Sequence, residues 1–179
     1  SQPWFAHVRA VVGDRVEIPD PIENRDADSL AEVLADPEIE IVRHAGRQDV
    51  AILRRSWQTE MTNIFDTQIA AGFAGYGAQS GYDSLVRSLL GETAKGAEGF
   101  SRWDRRPLTA EQIEYARADV EHLLPMADAL QERLRESGRL EWAREECRAL
   151  EAASDERPPE ELYARLPRVR RLGKRQRGV

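Results

Sequence analysis

Apolar residues recur at every second position over residues 8–12. Val8, Ala10 and Val12 are separated by other residues, and Gly13 and Asp14 then supply a turn before the segment RVEI. Alternation on both sides of a Gly-containing turn is typical of a β-hairpin. The pattern therefore predicts two short antiparallel strands.

A helix and a strand-to-helix unit follow the hairpin. The segment DSLAEVLADP has apolar residues at helical spacing, with Asp28 as a candidate N-terminal cap and Pro37 as a stop. Residues 39–42 are strand-like, and the next segment, RQDVAILRRSW, is apolar at Val50 and Leu53. This order predicts a short helix and then a strand that feeds a second helix.

The same strand-to-helix order recurs in the segment NIFDTQIAAGFAG. Ile64 and Phe65 predict a strand, and Asp66 or Thr67 is suited to cap the helix after it. The segment YDSLVRSLLG predicts another helix, closed by Gly91. Strands that alternate with helices after a hairpin indicate an α/β domain with a mixed sheet.

The later part of the chain is predicted to be helical after a long loop. Residues 92–108 are polar and contain Gly, which favours a loop. Thr109 and Gln112 form a capping box at the start of one long apolar stripe, in which Pro125 predicts a kink. After a Ser-Gly break, residues 139–153 predict a further helix.

Composition restricts the class of protein. A chain of 179 residues with 41% hydrophobic content suits one core, and it has no apolar run near the roughly 20 residues that span a bilayer. The single Cys147 cannot form an internal disulfide, and no secretory signal pattern opens the chain, so we expect a cytoplasmic protein without a membrane span. Residues 165–179 hold seven bases and no acid, leaving 19 bases against 32 acids elsewhere. This basic tail suits phosphate contact and a flexible solubilising end about equally.

Five side chains stand out as candidates for chemistry. Tyr115 and Asp119 are four apart on the flank of an apolar helix stripe, where a salt-bridged boundary is the simpler explanation for the pair by itself. Asp49 occupies the first turn of a helix after a strand, a place favoured both by active sites and by the helix dipole. Asp66 is explained as a structural cap, and His44 as a hydrogen-bonded packing residue, since no second His or Cys lies at zinc spacing.

Taken together, these segments resemble a known family. The segments IVRHAGRQDVAIL, NIFDTQIAAGFAGYGAQSGYDSLV, GFSRWDRRPLTAEQIEYARADVEHLLPMADAL and GRLEWAREEC resemble ribonuclease D, one of the DEDD 3′-to-5′ exonucleases with a tyrosine in the third motif. The resemblance covers roughly residues 8–150 in one order. It implies a ribonuclease H-like (DnaQ-like) fold, with a mixed sheet flanked by helices.

The resemblance also implies a function for three residues. Asp49 matches the acid of the second motif, and Tyr115 and Asp119 match the third. In the family, such carboxylates hold two divalent ions, Mg²⁺ or Mn²⁺, which prefer hard oxygen ligands. The ions offset a repulsion of about 4 kcal/mol per close carboxylate pair. Tyr115 is expected to position the attacking water, and the expected reaction removes single nucleotides, as 5′-monophosphates, from structured RNA 3′ ends such as those of tRNA precursors.

The sequence departs from the family at both ends. The first motif, D-x-E, is not found, because the DPE at residues 36–38 falls in a helix-to-strand turn with proline inside it. We therefore expect residues 1–153 to form the exonuclease domain without its first strand. Residues 154–179 are expected to be a linker and the start of an incomplete helical domain.

Two alternatives remain beside the exoribonuclease. A non-catalytic RNA-binding remnant would keep the scaffold and the basic tail, and a related exonuclease could act on DNA. An upstream reading frame that encodes D-x-E favours the enzyme over the remnant, and matched RNA and DNA strands separate the two nucleases. The oligomeric state and the choice between Mg²⁺ and Mn²⁺ are left open by the sequence.

We predict that the 179-residue chain trims RNA only weakly in Mg²⁺, because two of the four metal-binding acids are absent from it. An upstream extension that carries D-x-E should restore trimming. Both proteins are to be compared by the rate of 3′ shortening of one labelled RNA. Robust trimming by the chain alone would contradict the prediction.

Overall fold

The computed structural model describes residues 10–12, 15–17, 27–93, 106–118 and 120–154. Four strands and seven helices lie in these ranges. In chain order they are β1 (Ala10–Val12), β2 (Arg15–Glu17), α1 (Ala27–Ala35), β3 (Ile41–Arg43), α2 (Arg47–Trp57), β4 (Ile64–Asp66), α3 (Thr67–Phe73), α4 (Tyr82–Leu90), α5 (Ala110–Ala118), α6 (Leu123–Glu136) and α7 (Leu140–Glu151).

The strands form two pairs of opposite kinds. β1 and β2 are antiparallel, with Val11 opposite Val16, which confirms the predicted hairpin. β3 and β4 are parallel, with Ile41 opposite Ile64 and Arg43 opposite Asp66. Because the parallel strands end at the same level, the segments that lead from each strand into its helix lie side by side.

β4 separates two groups of buried side chains. Phe65 packs with buried residues of α3, α4, α6 and α7, among them Leu85 and Leu130. Ile64 faces the other way, toward buried residues of α1, α2 and α7 that include Val50. Adjacent side chains of a strand point to opposite faces, so one short strand serves both groups.

Helix α7 completes the cover over β4. The thiol of Cys147 is buried, and its Sγ accepts a hydrogen bond from the backbone N–H of Asp66 at 3.3 Å. Burial raises the pKa of the Cys147 thiol to about 11. The thiol is therefore protonated at neutral pH and acts here as a packing and hydrogen-bonding group.

Three predicted helix boundaries are confirmed in atomic detail. Asp66 is the N-terminal cap of α3, and its side chain accepts from the N–H groups of the first turn. Gly91 closes α4 at φ 70°, a left-handed conformation that glycine adopts without a side-chain penalty. At the start of α5, the Thr109 N–H donates to Gln112 Oε1 at 2.9 Å and the Gln112 N–H donates to Thr109 Oγ1 at 3.2 Å.

Two predicted helix boundaries are wrong. The single kinked helix through Pro125 is two helices, because α5 ends at Ala118 and α6 begins at Leu123. Pro125 lies in the first turn of α6, where a missing N–H removes no intrahelical hydrogen bond. Asp28 lies inside α1, which begins one residue earlier, rather than at its cap. Across the described helices, none combines the length and the low polarity that a membrane span requires.

Candidate active site

The candidate site lies where the parallel strands end. β3 leads into α2 through residues 44–46, and β4 leads directly into α3. The carboxyl ends of parallel strands form the edge where α/β proteins place ligands. The polar side chains at these two junctions are therefore the candidate functional groups.

The Asp66 carboxylate joins the two junctions. It is 1% exposed, and Oδ1 accepts from the N–H groups of Gln68 at 2.9 Å and Ile69 at 3.2 Å at the start of α3. The same carboxylate accepts from the N–H of Ala45 at 3.2 Å and of Gly46 at 2.7 Å, which precede α2. A buried carboxylate is stable only when hydrogen bonds replace its water. Asp66 therefore has the structural role that the sequence predicted, and it also fixes the start of α2.

Asp49 lies at the surface, near the hydrogen bonds of the Asp66 carboxylate. It lies in the first turn of α2, as predicted, and its side chain is 57% exposed. Its Oδ2 forms an ion pair with Nη2 of Arg43, the last residue of β3. Sequence reasoning missed Arg43. Its charge at the end of an apolar strand was the available signal that this side chain has a role other than packing.

His44 is hydrogen-bonded and packed, as the sequence predicted. Its Nδ1 lies 2.9 Å from Oγ1 of Thr67. The Thr67 hydroxyl donates to the backbone carbonyl of Arg43 at 3.1 Å, so His44 Nδ1 carries the proton and donates to Oγ1. Burial lowers the pKa of His44, and the nearby Asp66 charge opposes that shift only in part. The ring is therefore neutral at pH 7.

A row of three aromatic rings extends from His44. The His44 and Tyr82 rings meet edge to face with centroids 5.7 Å apart, and the Tyr82 and His122 centroids lie 6.5 Å apart. His122 lies between two acids, with Nδ1 3.6 Å from Glu92 and Nε2 3.3 Å from Glu121. The row connects the exit of β3 to the starts of α4 and α6, and sequence patterns gave no sign of it.

The other two predicted site residues come later in the chain. Tyr115 lies half-buried on α5 beside Ala116, which is fully buried. Asp119 falls outside the described residues. The convergence of Asp49, Tyr115 and Asp119 on one pocket stays a prediction.

The donor chemistry of Asp49 suits a divalent ion, since Mg²⁺ and Mn²⁺ prefer carboxylate oxygens. One carboxylate is too few ligands to form a metal site by itself. Within the described ranges, no three His, Cys, Asp or Glu side chains come together as a metal site. Asp49 is matched there by a guanidinium instead of by further acids.

Comparisons with known proteins agree on one family. A family model described as 3′-5′ exonuclease matches residues 7–135. A protein of Granulibacter bethesdensis named Ribonuclease D is 44% identical over 138 residues, which make up 76% of this chain and 35% of that protein.

Solved structures also match the chain. The crystal structure of Escherichia coli RNase D, described as an exoribonuclease involved in structured RNA processing, matches with a TM-score of 0.79 and 33% identity over 89% of this chain and 43% of that one. Brucella melitensis NrnC bound to pGG matches with a TM-score of 0.73 and 26% identity, over 89% of this chain and 78% of that one. The chain spans less than half the length of the curated relatives it matches.

We predict that Asp66→Ala lowers the free energy of unfolding by about 3 kcal/mol, because the Ala45 and Gly46 N–H groups lose a charged acceptor in a buried place. Asp36→Ala is the matched control, since the Asp36 carboxylate accepts the N–H of Glu38 in an exposed turn. The control should cost less than about 1 kcal/mol. Urea unfolding of both variants measures the difference, and equal losses would contradict the role given to Asp66.

Proposed function

The chain belongs to the 3′–5′ exonuclease family, and we propose that it forms the nuclease part of a ribonuclease D-type exoribonuclease. One observation carries the proposal: the segment matched by the family, residues 7–135, contains Asp49, Tyr115 and Asp119 in the order of the second and third motifs. The placement of Asp49 at the carboxyl end of a parallel strand supports it.

The proposed reaction is hydrolysis of the terminal phosphodiester at an RNA 3′ end. Asp49 and Asp119 are proposed as carboxylate ligands for Mg²⁺ or Mn²⁺, two ions in the complete site, with further acids supplied by the D-x-E motif. Bound there, the ions would stabilise negative charge on the attacking and leaving oxygens. Each cycle would release one nucleoside 5′-monophosphate.

Tyr115 is proposed to orient the water that attacks the phosphate. A phenol keeps its proton at neutral pH and both donates and accepts hydrogen bonds, so it can hold a water without competing for a cation. In the sequence it stands four residues before Asp119, which is the spacing at which two side chains meet on one face of a helix.

The proposed substrates are structured RNAs with free 3′ ends, such as tRNA precursors, and the proposed location is the cytoplasm. The support for RNA comes from the relatives, which are named for ribonuclease activity, and from the Escherichia coli structure described as acting in structured RNA processing. The basic residues between 165 and 179 are a proposed contact for the RNA backbone.

In the chain extended by a segment that carries D-x-E, Asp49→Asn should lower the trimming rate by at least about 100-fold, because the ion that stabilises negative charge on the reacting oxygens loses a carboxylate ligand. Tyr115→Phe should lower kcat by about 100-fold with a smaller change in KM, because the water is misplaced while RNA binding persists. Both are measured on a labelled RNA.

Tyr76→Phe is the control for the loss of a tyrosine hydroxyl. Tyr76 accepts a hydrogen bond from Arg133 at 2.8 Å on the exposed side of the helices. Its loss should leave the rate within about twofold. An active Asp49→Asn variant would remove the basis of the proposal.

We also predict that the same protein shortens a single-stranded RNA faster than the DNA strand of matched sequence. The products should be 5′-monophosphates released from the 3′ end one at a time, and a 3′-terminal block should stop the reaction. Chromatography of the released nucleotides checks both points. Faster release from the DNA strand would show that the alternative, a DNA exonuclease, is correct.

A further inference from the structure

Asp49, which is proposed as a metal ligand, forms an ion pair with Arg43. Arg43 ends β3 and Asp49 lies in the first turn of α2, so the ion pair spans the junction between them. The Arg43 side chain is 22% exposed while that of Asp49 is 57% exposed. The arginine side chain is thus mostly covered by protein, and its guanidinium reaches a carboxylate that is mostly exposed to water.

The chain leaves space for this contact at Gly46. A Cβ atom at position 46 would lie 2.9 Å from Cβ of Arg43 and 3.3 Å from both Cγ and Nε. The backbone of Gly46 has φ −81°, which any residue adopts, so space and not conformation calls for glycine. Its N–H is held by Asp66 at 2.7 Å, so the backbone cannot withdraw from the arginine without breaking that bond.

The charge on the arginine has a direct consequence for cation binding. A guanidinium and a divalent ion need the same carboxylate oxygens, and they repel each other at short distance. Arg47 offers a comparison: it is an exposed arginine at the start of the same helix, and it has no ion pair with any side chain that the structure describes. Of the residues in the described ranges, Arg43 is the one that forms an ion pair with the Asp49 carboxylate.

We propose that Arg43 is a built-in counter-cation of Asp49, which a divalent ion must displace before it binds there. The inference rests on the proposed role of Asp49 in metal binding, and it adds a residue that sets the metal concentration at which the site fills. Arg43 is a positioning residue on this view, since it acts through Asp49. The ion pair holds the carboxylate at the surface until a cation of higher charge replaces the guanidinium.

The test is a Mn²⁺ titration of the whole chain, followed by the electron paramagnetic resonance signal of free Mn²⁺. Arg43→Leu should bind Mn²⁺ with a Kd lower by about fivefold, the factor that corresponds to an exposed ion pair of about 1 kcal/mol. Arg47→Leu removes the same charge two residues from Asp49 without removing the contact, and it should change the Kd by less than about twofold. An Arg43→Leu variant that binds Mn²⁺ no better than the parent chain overturns the inference.

A third variant separates this inference from the proposed function. Asp49→Asn combined with Arg43→Leu should lose the gain in Mn²⁺ affinity. If the double variant keeps the gain, Mn²⁺ does not bind at Asp49, and both the proposed metal role and the inference fail. If Asp49→Asn weakens binding in the parent chain but Arg43→Leu has no effect, the metal role stands and the inference alone fails.

The unmodified chain provides a measurement that does not depend on how well a variant folds. Titration with Mg²⁺ should shift the Nε–Hε resonance of Arg43 in step with the carboxyl ¹³C resonance of Asp49. A shift at Asp49 with no change at Arg43 overturns the displacement. Thermal melting of each variant, followed by circular dichroism, confirms that the titrated proteins are folded.

Discussion

The hydrogen bonds around the Asp66 carboxylate hold the strand ends together. One buried anion accepts four backbone N–H groups, two from the first turn of α3 and two from the segment that precedes α2. Water cannot replace these bonds, because the side chain is 1% exposed. A negative charge also suits the amino-terminal end of a helix, and here the same charge lies near two such ends. The relative position of the two strand-to-helix junctions is therefore fixed by a side chain and not by packing alone.

The proposed chemistry depends on this fixed junction. Asp49 itself is exposed and contacts the rest of the protein through an ion pair, so its position is determined by the helix that carries it. The start of that helix is tied to Asp66 through Gly46. A ligand on a rigid element is placed more accurately than one on a loop. The position of the exposed Asp49 carboxylate thus depends on the buried Asp66.

Sequence reasoning succeeded where a feature is local. Three helix ends were predicted correctly: those at Asp66, at Gly91 and at the Thr109–Gln112 capping box. Each depends on contacts with backbone groups three or four residues away, so a short stretch of sequence is enough to identify it. The helix break before Pro125 was missed because the apolar stripe runs on through the turn, and proline is as well suited to a first turn as to a kink. Position and spacing brought Asp49, Tyr115 and Asp119 forward as candidates for which a structural explanation was the simpler one, and the family resemblance then favoured a role in chemistry. The row of rings from His44 to His122 joins segments far apart in the chain, which no periodicity reports. The contact of Arg43 with Asp49 is local, but it crosses from the end of a strand to a helix, so neither the period of the strand nor that of the helix reports it.

The bond between Cys147 and Asp66 joins residues 81 positions apart in the chain. During synthesis, the end of β4 leaves the ribosome long before α7 exists to cover it. At roughly 5 to 20 residues per second, the delay is several seconds. For that interval, a nascent chain would present the bare side of β4 to its surroundings, and the strand ends that carry the proposed site would reach their final form only after the last described helix had emerged.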